Sequence, residues 1–578
     1  MIVAFQLAQV LLSLWLPSLN ATIIDDGILA SNQQVIWRTG AVMLAASLVQ
    51  IGCMVGAIYA GARTSMEFGR ALRSQIFRKV QSFSAADQHR FGAPTLITRT
   101  TNDVTQVQMV VLMTFTIMIT APIMGVGGIV MALLQDAKLS LLLLVVVPIL
   151  AAIILGVMAG LTPRYKVQQT RIDRINTLLR EQLTGVRVIR AFVRQDTERE
   201  KFREANDNLR KIWLQIGWLW AFLMPATQLV IGLSSAAVVW FGGARIEAGS
   251  MQVGSLTAYI NYLMMILGAV MMSGMMAMMF PRGEVSANRL REIDETVPSI
   301  QSPADPKPLS AEPLTFELRN AALQYPGAED PVISDVSLTV APGCTIAIIG
   351  STGSGKSSLV RLFPRLIDAT SGSVRVNGID VREVDVQALR SRIAYVPQKA
   401  FLFSGTIASN VAGLPRMPED PAKAAELIDE DRVRRALEAA QAWEFVAKLD
   451  EGMHEEVESG GKNYSGGQRQ RLTIARAIYR ALPDAQGRRQ ADLLIFDDSF
   501  SALDFATDAA LRTGLRDYVG DVGVVTIAQR VATIRGADEI LVLADGTIEA
   551  RGKHSELMQS SPTYREIVKS QLTEQEAA

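Results

Sequence analysis

Gly350-Ser351-Thr352-Gly353-Ser354-Gly355-Lys356-Ser357 decides how the C-terminal half of this chain folds. The stretch fits Gly-x-x-x-x-Gly-Lys-Ser, a loop whose backbone N–H groups cradle phosphates while the lysine reaches the β/γ oxygens and the serine holds Mg²⁺. Its flanks agree. Thr345-Ile346-Ala347-Ile348-Ile349 is a short apolar strand-like run, and Ser358, Leu359, Val360, Leu362 and Phe363 follow in a helical pattern. Further on, Leu493-Leu494-Ile495-Phe496-Asp497-Asp498 reads as a buried strand that delivers two adjacent carboxylates to a nucleotide site. From residue 314 onward short β-rich runs alternate with helical patterns, which predicts an α/β domain with a largely parallel sheet.

Upstream the composition changes. A chain of 578 residues is too long for one core, and its 49% hydrophobic share is unevenly spread. Six stretches contain no Asp, Glu, Lys or Arg: residues 1–24, 39–62, 104–135, 139–163, 212–244 and 248–281. Each exceeds the roughly 20 residues that cross a hydrocarbon layer about 30 Å thick, so a lipid bilayer is an expected partner. Basic residues crowd two connections, 63–103 (Arg63, Arg70, Arg73, Arg78, Lys79, Arg90, Arg99) and 164–211. The alternate ones hold only Arg38, Lys138 and Arg245. Lys and Arg stay on the cytoplasmic side, which puts both termini inside, facing cytoplasmic ATP. Arg171, Arg174, Arg180 and Arg187 interleave with Ile172, Ile175, Leu178, Leu179 and Leu183 at helical spacing beyond any lipid. Either the spans continue as helices into the cytoplasm or the segment is a helical insert. Residues 297–313, with five prolines, read as a linker. The expected division is a six-helix transmembrane domain over 1–296, a linker over 297–313 and a nucleotide-binding domain over 314–578.

The formal net charge of zero points to no nucleic-acid partner. Cys53 lies in a span and Cys344 beside the phosphate loop, so no disulfide is expected. His89, His454 and His554 are scattered in hydrophilic segments and read as solvated positions rather than a metal set. Met1 begins almost inside the first span, so an upstream start codon and a shortened protein are both open, and without a basic leading region a cleaved signal peptide is not expected.

Tyr464-Ser465-Gly466-Gly467-Gln468-Arg469-Gln470-Arg471, taken with the phosphate loop and the Asp497 strand, resembles the ATP-binding cassette (ABC) transporters. Six spans ahead of one cassette resemble the half-transporters of the exporter fold, over nearly the entire chain. The resemblance implies a dimer with two ATP molecules sandwiched between cassettes, with ATP and Mg²⁺ as cofactors. On it, residues 350–358 bind ATP, ending at Ser357 on Mg²⁺ and Ser358, and Tyr325 stacks on adenine unless it is a core tyrosine at a strand end. Gln398, in Tyr395-Val396-Pro397-Gln398, touches Mg²⁺ and senses the membrane helices, and Asp497 holds the Mg²⁺ water shell. Ser501-Ala502-Leu503-Asp504 contacts the opposite site, and residues 84–103 and 191–197 resemble the coupling segments. Ser465, Gly466, Gly467 and Gln468 serve the partner's nucleotide, a helix N-terminus offered to its γ-phosphate. Tyr464 stands where leucine is usual.

Two positions depart from the family. Asp498 replaces the glutamate that orients the attacking water, and Gln529 replaces the switch histidine. Losing one methylene draws the carboxylate back by roughly 1 to 1.5 Å, and a misplacement of that order costs about 10²-fold. An amide cannot titrate as an imidazole does. The double change resembles the degenerate-site subunit of a heterodimeric bacterial exporter, whose companion half-transporter carries the glutamate and histidine. A bacterial cytoplasmic membrane is the expected location. Methionines 264, 265, 271, 272, 275, 276, 278 and 279 crowd the last span, either as a conformable wall for small hydrophobic substrates or as helix filler. Lipid translocation, import and an ATP-gated channel remain open alternatives to efflux of amphiphilic compounds.

Overall fold

The computed structural model describes residues 1–413 and 427–571, and the chain's internal contacts divide it into two units. The first comprises Met1–Ser82 and Phe91–Val297, the second Phe83–Arg90 and Pro298–Ala578. Residues 83–90, expected with the membrane domain, are grouped with the second unit: the Asp87 carboxylate accepts the Ser84 and Ser299 N–H groups, both at 3.0 Å.

Six helices among the described residues are long and apolar enough to cross a membrane: Ile2–Leu29, Gln33–Gln81, Ala93–Gln135, Leu139–Thr184, Gln195–Glu247 and Val253–Glu295. They outrun their charge-free cores. The fifth, at 53 residues, measures about 80 Å at 1.5 Å per residue, so much of it lies beyond a hydrocarbon layer about 30 Å thick. Arg171 to Arg180 sit inside the fourth helix, so no separate insert exists there. The first helix runs past its apolar stretch through Asp25 and Asp26 in a π-helical turn, Ile23–Leu29. There the Asp25 carboxylate accepts the Gly254 N–H at 2.7 Å, at the start of the sixth helix.

In lipid, helices gain little from burying apolar surface against each other, so close packing and polar contacts must hold them. Gly127 and Gly128 allow the third helix to lie against two neighbours. A Cβ on Gly127 would stand 2.3 Å from Leu14 Cδ1 of the first helix, and one on Gly128 2.8 Å from Ile266 Cγ1 of the sixth. Tyr259 and Tyr262 are fully buried, with hydroxyls on the Leu139 carbonyl (3.2 Å) and on Ser18 Oγ (2.6 Å). At the turn between the third and fourth helices, the buried Asp136 carboxylate accepts Arg245 at 2.6 Å and the Leu139 N–H at 2.8 Å. Leu144, Leu233 and Trp240 stand exposed, as side chains facing acyl chains would.

The second unit holds strands β1 (Phe316–Leu323), β2 (Ile333–Val340), β3 (Thr345–Ile349), β4 (Ser371–Val376), β5 (Ile379–Asp380), β6 (Ile393–Val396), β7 (Gly405–Thr406), β8 (Glu456–Val457), β9 (Leu493–Asp497), β10 (Gly523–Ile527), β11 (Glu539–Ala544) and β12 (Thr547–Gly552). The main sheet runs β12-β11-β3-β10-β9-β6, parallel except for the β12 edge, and an antiparallel sheet runs β2-β1-β4-β5. Buried on both faces, β9 divides its side chains at period two. Leu493 and Ile495 join Val525 and Ile527 in the core shared with the antiparallel sheet, and Leu494 and Phe496 join Val524 in the core under the helices. Residues 298–313 lie on this unit through Lys307, whose N–H reaches the Glu383 carbonyl at 2.8 Å. His554 is half-buried rather than solvated, with Nδ1 2.8 Å from the Tyr564 hydroxyl.

Gly128→Ala is expected to cost about 1–3 kcal/mol of overpacking, read as a lower melting temperature in detergent. Ile266→Ala, which removes the Cγ1 atom in the way, should recover part of it in the double variant, and strictly additive losses would contradict the close approach.

Candidate functional site

Strands β3, β10, β9 and β6 are neighbours with their carboxyl ends on one edge, the place where open parallel sheets bind ligands. Each end supplies one part: the 350–357 loop after β3, Gln529 after β10, Asp497 and Asp498 at the end of β9, and Gln398 after β6. The register pairs Ile527 with both Asp497 and Ile348.

The loop closes on a left-handed Gly355 (φ 94°), where a Cβ would lie 2.6 Å from Ile333 and 2.7 Å from the Val332 carbonyl. Only glycine fits. Lys356 Nζ donates to the Gly350 and Ser351 carbonyls at 2.9 and 2.6 Å and lies 3.3 Å from Ser354 Oγ. Burial pulls its pKa below the ordinary lysine value, against the carboxylates of Asp498 and Asp497. A cavity of about 240 Å³ opens beside it, lined among others by Thr352, Gly353, Ser358, Gln398, Asp498 and Gln529. Tyr325 is half-buried, its hydroxyl 3.0 Å from Ser358 Oγ.

Ser357 Oγ donates to Asp497 Oδ1 at 2.6 Å, and the Tyr395 hydroxyl donates to Oδ2 at 2.7 Å. Burial and the Asp497 charge push the Tyr395 phenol far above its ordinary pKa, so it remains a donor. An all-oxygen pair beside a phosphate loop fits Mg²⁺, which takes one or two protein oxygens together with phosphates and water. Ser357 and Asp497 would hold it, and bound there it would neutralise charge on the β- and γ-phosphate oxygens.

Asp498 is bracketed. Its Oδ2 accepts Gln398 Nε2 at 3.0 Å and Gln529 Nε2 at 2.8 Å, and its backbone is left-handed (φ 50°). Aspartate and asparagine are the non-glycine residues most often found there. Burial pushes its carboxyl above the ordinary value, while the two amides and Lys356 oppose this. Behind it a second cavity of about 500 Å³, lined by Ser501, Arg530 and Gln571, shares Asp498 and Gln529 as its wall.

Ser465 caps helix Gly466–Ala481: Oγ accepts the Gln468 N–H at 3.3 Å, and Gln468 Oε1 accepts the Ser465 N–H at 2.8 Å. Ser465 and Gly466 are exposed, and none of residues 465–468 lines the phosphate cavity. Tyr464 is buried beneath, its hydroxyl on the Glu456 carbonyl at 3.1 Å, so the aromatic ring replaces leucine without stranding a polar atom. Arg476 anchors the same helix to the Asn410 and Phe401 carbonyls, and burial lowers its pKa to about 10. Tyr395 sat within a quoted motif without a role, and no local pattern marks Gln571, whose contacts lie about 40 residues away.

Six apolar helices ahead of a parallel-sheet domain with this phosphate site define a membrane ATPase. Residues 1–270 match the ABC transporter transmembrane region and residues 333–500 match the ABC transporter family. The chain is 45% identical over 572 residues to an uncharacterized ABC transporter ATP-binding protein of Mycobacterium tuberculosis, covering 99% of this chain and 95% of that one. It is 32% identical over 475 residues to a fatty acid ABC transporter ATP-binding/permease protein of the same species, covering 82% and 72%. Its fold matches a bacterial Atm1-family ABC exporter with ATP bound at a TM-score of 0.79 and 20% identity, over 99% and 97% of the two chains. The chain belongs to the ABC transporter family and is an ATP-hydrolysing half-transporter with the exporter fold.

Tyr395→Phe would leave Asp497 Oδ2 short of a donor, a loss of about 1–3 kcal/mol. Melting temperature should fall, and ATP binding should weaken more with Mg²⁺ than without it.

Proposed function

We propose that this chain is one subunit of a heterodimeric exporter in a bacterial cytoplasmic membrane, holding ATP and Mg²⁺ at a site that hydrolyses slowly. Residues 465–468 complete the competent site of a second half-transporter that carries glutamate and histidine where this chain has Asp498 and Gln529. The phosphate loop, Tyr325, Gln398 and Asp497 hold the ground state. The carrying observation is the bracket on Asp498, whose Oδ2 already accepts two amides. A base must reach the attacking water at about 2.6–3.2 Å. This carboxylate is short, engaged, and faced by an amide that cannot give up a proton.

The cargo on this reading is a small hydrophobic or amphiphilic compound. Its support is a cavity of about 390 Å³ in the membrane unit, lined by Ile117, Met118, Pro122, Met276, Phe280 and Pro281. Methionine gives such a wall adaptable shape. Met265 and Met271 instead pack against the helix core, while the side chains of Met275 and Met278 lie outside the described set. Lipid translocation is a second reading, favoured by the relative described as a fatty acid transporter.

The test is ATPase activity of this chain alone, of the companion alone and of the pair. Turnover confined to the pair, lost on changing the companion's glutamate and little changed by Asp498→Ala, is expected; robust turnover by this chain alone would sink the scheme. Asp498→Glu with Gln529→His should raise turnover of this site by about 10²-fold or more. The introduced imidazole should also add a rate inflection near pH 6.5, its ordinary pKa being roughly that value.

A further inference from the structure

The last described helix, Pro562–Gln571, ends against the loop that carries Gln529. The Gln571 amide bridges that loop. Its Nε2 donates to the Gln529 carbonyl at 2.7 Å and its Oε1 accepts the Val531 N–H at 2.9 Å. Val531 opens helix Val531–Ile534, whose N-cap Arg530 makes no side-chain cap, so Gln571 satisfies an N–H that a helix start otherwise leaves orphaned. The helix bearing Gln571 is itself fixed, because Tyr564 and Val568 are buried in one apolar cluster with Val531, Ile534 and Leu557. From the same Gln529, the side-chain amide reaches Asp498 Oδ2 at 2.8 Å.

We propose that Gln571 is a positioning residue for the nucleotide site. By pinning the carbonyl of 529 and the N–H of 531, it fixes the peptide groups from which the Gln529 side chain points into the phosphate cavity. The C-terminal helix thereby sets how well the site tells ATP from ADP. The inference rests on the reading that Gln529 faces the terminal phosphate, and it assigns the control of that residue to a helix that does not line the phosphate cavity.

Equilibrium binding of Mg-ATP and Mg-ADP to the full-length protein in detergent tests it. Gln571→Met keeps the shape and loses both hydrogen bonds, so ATP should weaken roughly three- to tenfold while ADP stays within about twofold. Gln571→Glu keeps the bond from Val531 but turns an acceptor-only carboxylate oxygen toward the Gln529 carbonyl, so it should weaken ATP at least as much as Gln571→Met. In a Gln529→Ala background, Gln571→Met should add nothing to the ATP:ADP ratio. Equal weakening of both nucleotides, or additive effects in the double variant, would reduce Gln571 to a structural contact and overturn the inference. An unchanged ratio in Gln529→Ala alone would instead overturn the reading of Gln529, and the inference with it.

Discussion

The parallel register of β3, β10, β9 and β6 is the constraint on which the nucleotide site depends. Strands lie about 4.8 Å apart, so four carboxyl ends in a row set the spacing of the phosphate loop, Gln529, the two aspartates and Gln398 before any side chain is placed. Pairing of Ile527 with Asp497 brings the Asp498 N–H to the Ile527 carbonyl at 3.1 Å, which puts the Asp498 side chain beside the loop of Gln529. A slip of one residue would turn Leu494 and Phe496 into the wrong core and carry Asp497 off Ser357. Burial of β9 on both faces is therefore also what keeps Asp497 on Ser357.

The membrane unit meets a different demand, because in lipid helices gain little from burying apolar surface and must pack closely instead. Its cohesion comes from close approach at Gly127 and Gly128 and from a few polar contacts, such as Asp25 on Gly254 and Asp136 on Arg245. Helices of 49 and 53 residues carry the spans well past the bilayer as continuous rods.

Spans, strands and motifs were legible because each writes a local pattern: long charge-free runs, short apolar runs, or a fixed spacing of glycines. The helical spacing around Arg171 to Arg187 left a continued span and a separate insert both open; Arg171, Arg174 and Arg180 lie in the fourth helix, which ends at Thr184, and Arg187 in the short helix Val186–Ala191. What could not be read was the pairing of side chains brought together by the fold. Gln398 and Asp498 are 100 residues apart, Tyr395 and Asp497 are 102, and Gln571 and Val531 are 40. Nothing in the identity of an amide states which acceptor it will meet. His554 failed for the same reason, since its polar neighbours in sequence conceal Tyr564 in space.

On the proposed reading, Asp498 and Gln529 are better understood as one arrangement than as two separate losses. A carboxylate partly buried beside Asp497 needs neutral or positive donors, and a left-handed backbone tolerates aspartate. Gln398 and Gln529 supply two uncharged donors to the same oxygen, so Oδ2 is satisfied without a proton being exchanged. In the proposed scheme that satisfaction is itself the functional change: interactions complete in the ground state lower the energy of the bound nucleotide without lowering the barrier to its cleavage. Restoring either residue alone would leave a lone donor or a lone base in a bracket built for both, so the pair is expected to matter more than the sum of its members.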